Sequence, residues 1–148
     1  MVHSPTETEL AWAAGFFDGE GTVGLYKVTQ YHSGKPYFGW RLSARLSGCH
    51  RASVEKFAAI IGFGTIKMQR RTTRTGKSIW NWQAFNSHVL KSLVPLLPYL
   101  VIKADQVRLA VSYRDSVGNF GSGGKPPDLV KKHLDMADRM KFLKTVLN

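Results

Sequence analysis

The segment AAGFFDGEG (residues 13–21) constrains the fold more than any other part of the chain, because it places three glycines in and at the end of a helical run. A glycine inside a helix costs about 1 kcal/mol relative to alanine. Ala11, Gly15 and Gly19 follow one another at intervals of four residues, so they form a stripe of small residues along one helix face. Such a stripe lets a second backbone approach closely. It predicts either a contact between two copies of the helix or tight packing on the chain's own sheet.

The ends of this helix are predicted from local signals. Ser4 can act as the N-cap, Pro5 suits the first helical position, and Glu7 completes a capping box. The glycines of GEG (19–21) mark the end, since they leave helical geometry at little cost, and Glu20 is expected just past it. Four apolar residues already supply a face for the core: Leu10, Ala13, Phe16 and Phe17. The stripe of small residues therefore favours a second interface.

A helix pair formed through this stripe has a consequence for the acidic residues beside it. The expected dimer contacts are Ala11, Ala14, Gly15, Asp18 and Gly19. Two Glu20 carboxylates then lie close to the axis of the pair, where like charges repel unless a cation lies between or beside them. Oxygen ligands together with a phosphate-bearing partner favour Mg²⁺.

The period of the sequence changes from helical to two at Gly21. The first predicted hairpin consists of the strands TVGLYKVTQY and YFGWRLSARLS, joined by a turn at HSGKP. A helix at 50–62 follows it. The second predicted hairpin consists of the strands FGTIKMQRR and SIWNWQAF, joined by a turn at TTRTGK. Further helices are predicted in SHVLKSLVPLL, at 103–116 and, after the loop GSGGKPP, at about 127–147. The chain is therefore expected to be a single α+β domain over 1–148, with αββαββα order and a core at about 4–118.

Both hairpins alternate apolar residues with polar residues that suit nucleic acid. In the second strand the apolar set is Phe38, Trp40, Leu42, Ala44 and Leu46, which leaves a basic open face. Arg, Lys, Gln and Asn are the side chains that bond base edges and phosphates in the major groove. The candidate DNA contacts are Tyr26, Gln30, His32, Arg41, Ser43, Arg45, Lys67, Gln69, Arg71, Asn81 and Gln83, with phosphate contacts from Arg70, Arg74 and Lys77 and from basic residues near the C-terminus. The alternative is that these are ordinary solvated faces.

The charge balance favours a polyanionic partner. The chain has 21 Lys and Arg against 10 Asp and Glu, a net charge of +11, which is most often associated with nucleic acid. A generically basic protein or one that lies on anionic lipid remains the alternative. The longest apolar stretch, LVPLLPYLVI (93–102), is too short and too interrupted by proline to span a bilayer.

The single cysteine and the N-terminal sequence bear on location. Cys49 is the only cysteine, so neither an internal disulfide nor a cysteine-based zinc site is possible. MVHSPTETEL has neither a secretory nor a transit pattern. We therefore expect a DNA-containing reducing compartment, either bacterial or archaeal cytoplasm or an organelle, rather than secretion.

The segment AAGFFDGEG resembles the motif of the LAGLIDADG homing endonucleases, in the variant that ends Asp-Gly-Glu-Gly. The order that follows it is also similar: a basic hairpin, VEKFAAIIGFGTI, a second hairpin, and then LPYLVIKADQ. This last segment resembles the Lys-x-x-Gln region of the family, here Lys103 and Gln106. The resemblance covers residues from about 8 to 115.

The resemblance implies a fold, a reaction and a set of residues. Glu20 matches the metal-binding acid, the Gly19 carbonyl is its companion ligand, and Asp18 matches a structural acid at the helix end. Lys103 matches a basic residue near the scissile phosphate that offsets developing charge. One motif copy implies a homodimer through the motif helix, with antiparallel sheets that form a DNA-binding saddle. Such a dimer is expected to use Mg²⁺ to cut one phosphodiester in each strand of a near-palindromic double-stranded site of roughly 18–20 base pairs.

The sequence departs from the family at the end of the second strand. Members often place a polar side chain there, commonly glutamine, whereas this chain reads LSGCHR, with Ser47 or Gly48 at that point. Ser47, His50 or Arg51 can take part in the water network, and the sequence does not choose among them. Two other functions stay open: an RNA-binding maturase that acts on intron RNA, and a DNA-binding regulator that does not cleave. The presence of Glu20 favours the nuclease.

Overall fold

The computed structural model describes residues 3–70, 76–117 and 126–146. The elements are α1 (Glu7–Glu20), β1 (Gly21–His32), β2 (Lys35–Gly48), α2 (Arg51–Ile61), β3 (Thr65–Arg70), β4 (Ser78–Phe85), α3 (Ser87–Leu93), a 3₁₀ helix (Val94–Tyr99), α4 (Ala104–Ser116) and α5 (Pro127–Val146). This order confirms the αββαββα arrangement predicted from the sequence. None of the helices in the described residues is long and apolar enough to cross a membrane.

The four strands form one antiparallel sheet in the order β1-β2-β4-β3, so the two hairpins join through β2 and β4. Residues directly opposite each other in neighbouring strands share a face of the sheet. Tyr26 lies opposite Arg41, and Arg45 lies opposite Gln83. The register therefore brings the polar positions of both hairpins onto one face, which we call the open face.

The other face of the sheet packs against α1 and α2. Phe57 of α2 stacks on Phe17 of α1 with 6.2 Å between ring centroids, and it meets Trp82 of β4 edge-on at 5.0 Å. The indole N–H of Trp82 donates to the Phe63 carbonyl at 2.9 Å. This aromatic cluster fixes α1 across the sheet and so determines where the end of the helix lies.

The inward face of β2 is only partly the one expected. Leu42, Ala44 and Leu46 are fully buried, as predicted. Phe38 is 63% exposed, and Tyr31 on the neighbouring strand is also exposed. The expectation for Phe38 was wrong because the distal half of the β1–β2 hairpin extends beyond the helices, where its ring packs under the Lys27 ammonium at 4.5 Å instead.

Both ends of α1 differ from the sequence expectation. The capping box is formed by Thr6 and Glu9, not by Ser4 and Glu7: the Thr6 N–H donates to Glu9 Oε2 at 2.8 Å, and the Glu9 N–H donates to Thr6 Oγ1 at 3.2 Å. At the other end Gly21 is extended and leads directly into β1. Glu20 is consequently the last residue of the helix rather than a residue past it.

Candidate functional site

Asp18 ties the end of α1 to the segment that precedes α4. Its carboxylate accepts three backbone hydrogen bonds: from Val101 at 2.8 Å, from Ile102 at 3.1 Å and from Lys103 at 3.0 Å. The Lys103 ammonium donates to the Asp18 main-chain carbonyl at 2.7 Å. This geometry matches the structural role expected for Asp18. It contradicts the expectation that Asp18 contacts a second chain, because the side chain is committed to its own chain and the residue is only 9% exposed.

Glu20 is exposed at the C-terminus of α1, and its carboxylate has no hydrogen bond or ion pair with any residue that the structure describes. Two recesses meet at this residue. The strand-side recess, of about 490 Å³, is also lined by Phe16, Ser47, Gly48, Cys49, His50, Ser53 and Ile79. The helix-side recess, of about 220 Å³, is also lined by Gly19, Gly21, Thr22, Ile102, Lys103, Gln106 and Lys144. A free carboxylate where these two recesses meet can bind a cation.

Lys103 is half-buried in the helix-side recess. Burial lowers the pKa of its ammonium below the usual value, and the negative charges of Asp18 and Glu20 partly oppose that shift. Lys103 and Glu20, which are 83 residues apart in the sequence, therefore act on each other electrostatically at one site. The hydrogen bonds of Asp18 produce this proximity.

The structure separates the three candidates for the water network. Ser47 Oγ donates to Asn81 Oδ1 at 2.5 Å, and His50 Nδ1 lies 2.6 Å from Ser53 Oγ; both residues line the strand-side recess with Glu20. Arg51 Nε instead donates to Glu55 at 2.7 Å, and its guanidinium lies over the Trp80 ring at 4.6 Å. Ser47 and His50, but not Arg51, therefore share a recess with Glu20.

The open face of the sheet carries the predicted base contacts that the structure describes, whereas Arg70, a predicted phosphate contact, lies opposite Ser78 on the other face. Register and alternation place these residues on the open face: Tyr26, Gln30, His32, Arg41, Ser43, Arg45, Lys67, Gln69, Asn81 and Gln83. Arg71 and Arg74 lie outside the described residues. Ser43 is the exception in accessibility, since it is only 4% exposed. It pairs with Gly24, and the Tyr26 ring occupies the space above that glycine, so Ser43 is not available as a surface contact.

Two residues of the helix-side recess were not assigned a role there from the sequence. Lys144, near the end of α5, donates to the Tyr26 hydroxyl at 3.2 Å and lies over the Tyr26 ring at 5.4 Å. Gln106, noted only as part of the Lys-x-x-Gln resemblance, is buried on the first turn of α4. The basic character of the C-terminal helix was visible in the sequence, but its return to the end of α1 depends on tertiary packing.

The stripe of small residues on α1 faces outward. Ala11, Gly15 and Gly19 are exposed, and a Cβ atom added to either glycine meets no other atom within 4 Å. Packing within the chain therefore does not require these glycines. Ala14, which was expected at the dimer contact, is instead fully buried in the core, so that expectation was wrong.

The donor set around Glu20 suits a metal ion that is shared with a substrate. Among the described residues no group of three His, Cys, Asp or Glu side chains could hold a metal ion. Glu20 offers a free carboxylate, and the last carbonyls of a helix have no partner within that helix. Mg²⁺ is commonly held by one or two carboxylates together with phosphate oxygens and water. Glu20 and the Gly19 carbonyl fit this type of site, but they do not form a complete cage.

Comparison with known proteins gives a consistent fold. No family model and no curated protein matches the sequence. Among solved structures, the homing endonuclease I-CvuI in complex with the I-CreI target superimposes with a TM-score of 0.73 at 22% identity, over 93% of this chain and 82% of that one. The homing endonuclease I-TnaI has a TM-score of 0.63 at 14% identity, over 94% and 97% of the two chains. The LAGLIDADG homing endonuclease I-GzeII, in complex with a DNA target, has a TM-score of 0.62 at 12% identity, over 86% and 43%.

These likenesses define the class of fold. The chain has the LAGLIDADG homing endonuclease fold, as the motif AAGFFDGEG predicted.

Proposed function

We propose that the chain is a site-specific homing endonuclease that binds double-stranded DNA as a homodimer and hydrolyses one phosphodiester in each strand with Mg²⁺. The observation that carries this proposal is the position of the unpartnered Glu20 carboxylate beside Lys103, at the end of a helix with an exposed stripe of small residues. The three solved structures named above, which share the fold, are all homing endonucleases.

The proposed chemistry divides among a few residues. Glu20 and the Gly19 carbonyl would hold Mg²⁺, which when bound activates water and stabilises the leaving oxygen. The Lys103 ammonium, held by the Asp18 carbonyl, offsets the negative charge that develops on the phosphate. Ser47 and His50 lie in the strand-side recess, where they orient water for the attack.

The proposed dimer supplies the second active site. One chain has one motif and therefore one Glu20, whereas a double-strand break needs two reactive centres. Contact through Ala11, Gly15 and Gly19 would bring the ends of two α1 helices together, and each helix carries its Glu20 to the centre of the pair. The open faces of the two sheets then extend away on either side and bind a near-palindromic site.

The open face supports duplex DNA as the partner. Arg41, Arg45 and Lys67 are exposed on it, and Asn81 Nδ2 donates to Gln69 Oε1 at 3.4 Å in a polar recess that also contains Gln83. Arginine and lysine bind phosphates and guanine edges, and amide side chains bind adenine edges. An RNA-binding maturase or a non-cleaving regulator can use the same face, but neither role needs a free carboxylate at Glu20.

The test is selection of cleaved sites from a randomised duplex library, with Mg²⁺ and with EDTA. We expect a metal-dependent, near-palindromic site, no cleavage by Glu20→Gln, and binding of the selected duplex by that variant within about twofold of the original chain, because the side chain keeps its size. Asp138→Asn, at an exposed carboxylate on α5, is the matched control and should cleave normally. Tight binding without any cut would identify a maturase or a regulator instead.

A further inference from the structure

Gln106 carries a polar atom that the proposed function does not use. It is 2% exposed, and its Oε1 is the buried side-chain polar atom that lacks a partner among the described residues. A buried acceptor without a hydrogen bond costs about 1–3 kcal/mol. Most such groups in folded proteins have a protein or water partner. The oxygen therefore points to a bound donor.

The reason that Gln106 is unpartnered lies in the cap of α4. Lys103 is the N-cap, which makes Gln106 the third residue of the helix. A glutamine or glutamate at this position usually accepts from the N-cap backbone N–H, as Glu9 does from Thr6 in α1. In α4 that N–H donates to Asp18 instead, at 3.0 Å. Asp18 thus takes the local partner of Gln106, whose side chain lines the helix-side recess with a buried and unpaired oxygen.

The helix-side recess has the size and polarity to hold water. Its volume is about 220 Å³, and a water molecule occupies about 30 Å³ in the liquid. Two ammonium groups line it, but neither donates to Gln106. The Lys103 ammonium donates to the Asp18 carbonyl, and the Lys144 ammonium donates to the Tyr26 hydroxyl. A water molecule is the remaining donor that can enter from solvent.

We propose that Gln106 is a positioning residue that holds an ordered water molecule between its Oε1 and the Lys103 ammonium. The water donates one hydrogen bond to Oε1 and accepts one from Lys103 Nζ. Together with the Asp18 carbonyl it gives the ammonium two fixed acceptors, so that the charge stays directed towards Glu20. Its effect on cleavage rests on the proposed nuclease function, whereas the water site itself does not.

Gln106→Met tests this role, because methionine keeps the length of the side chain and removes the acceptor. We expect the single-turnover cleavage rate to fall about tenfold, the lower end of the range found when the hydrogen-bond partners of metal ligands are removed. DNA affinity measured in Ca²⁺ and the unfolding midpoint should not fall, because the acceptor and its water leave together and the volume of the side chain changes little. Gln106→Glu keeps an acceptor and should recover most of the rate. Arg108→Met, at an exposed position on the same helix, is the control and should cleave normally.

A high-resolution crystal structure of the original chain tests the water directly. We expect a water within hydrogen-bond distance of Gln106 Oε1 and of Lys103 Nζ, and its loss in Gln106→Met. A recess without this water overturns the proposal, as does a Gln106→Met rate equal to that of the original chain. A fall in rate that is matched by falls in affinity and stability also overturns it. If the original chain cuts no duplex, the nuclease function fails while the crystal structure still decides the water site.

Discussion

Asp18 shows how much of the site depends on one side chain. Its carboxylate accepts from the backbone of Val101, Ile102 and Lys103, and it thereby holds the start of α4 against the end of α1. Asp18→Asn replaces one carboxylate oxygen by an NH₂ group, which cannot accept. We expect unfolding in urea to show a loss of about 1.5–3 kcal/mol, the value of a hydrogen bond to a charged group. Asp105→Asn, at an exposed carboxylate on α4, is the control; equal stability of both variants would contradict this account.

The buried Lys103 ammonium should make the free energy of unfolding rise with pH, whereas a lysine held in a stabilising ion pair would make it fall with pH. Burial lowers the pKa of its ammonium in the folded chain below the ordinary lysine value of 10.5. Between the folded and unfolded pKa values the unfolded chain binds more protons, so the contribution of Lys103 to stability rises with pH in this range and is unfavourable below it. The difference in unfolding free energy between the original chain and Lys103→Met should therefore grow in favour of the original chain as pH rises towards 10.5. Urea unfolding across alkaline pH measures this; a difference that stays constant contradicts the burial.

A substitution on the outer face of α1 should change the assembly of the chain without changing the stability of the monomer. A Cβ atom at Gly15 meets nothing within the chain, so Gly15→Leu should leave the monomer folded. It should also remove the close approach of two helices, because the leucine side chain occupies the surface where the partner backbone lies. We expect sedimentation to show monomers of Gly15→Leu with unchanged circular dichroism. Ala59→Leu, on the exposed side of α2, is the control, and an intact Gly15→Leu dimer would show that the stripe is not the interface.

The same helix shows what the sequence can and cannot predict. The order of elements followed from the change between helical and twofold periodicity at Gly21, and the buried positions Leu42, Ala44 and Leu46 of β2 followed from alternation, although Phe38 did not. The N-cap did not, because Ser4–Glu7 and Thr6–Glu9 have the same spacing and only the folded chain shows which pair closes. The expectation for Ser43 was wrong for a similar reason: alternation places it on the open face, but only the folded chain shows that it is 4% exposed there.

For the candidate site, prediction from the sequence is limited by contacts that only the tertiary structure brings together. The motif indicated Glu20 and, through the Lys-x-x-Gln resemblance, Lys103, although it gave no reason for their proximity. The three hydrogen bonds to Asp18 supply that reason, and they also explain the free oxygen of Gln106. Lys144 reaches the recess because α5 returns across β1 to Tyr26, a contact between residues 118 positions apart that no local pattern encodes.

At the scale of the whole molecule, Ser47 connects specificity with chemistry in the proposed nuclease. It lines the strand-side recess with Glu20, and its hydroxyl donates to Asn81 on the open face. A base that displaces or reorients Asn81 changes the acceptor available to Ser47 and therefore the side chains around the attacking water. Ser47→Ala should lower the cleavage rate more than it lowers DNA affinity, whereas Ser78→Ala, at the start of β4, should change neither. Equal losses of rate and affinity for Ser47→Ala would show that it acts only in binding.

The net charge of +11 and the polar open face should contribute to DNA binding in distinguishable ways. Each phosphate contact that a protein makes with duplex DNA adds about 0.9 to the slope of log affinity against log salt, irrespective of sequence. Lys77→Met, at an exposed lysine beside β4, should therefore weaken binding to specific and random duplexes alike and lower this slope by about 1.

Gln83→Ala, on the open face, should instead leave the slope unchanged and relax selectivity at one base pair, at a cost of about 1–3 kcal/mol on the selected site. Binding isotherms on both duplexes from 50 to 200 mM salt (roughly the range over which such slopes are resolved) separate the two, with Val130→Ala, at an exposed uncharged position on α5, as the control. If Gln83→Ala lowered the slope while selectivity stayed intact, the open face would hold the DNA backbone rather than the bases.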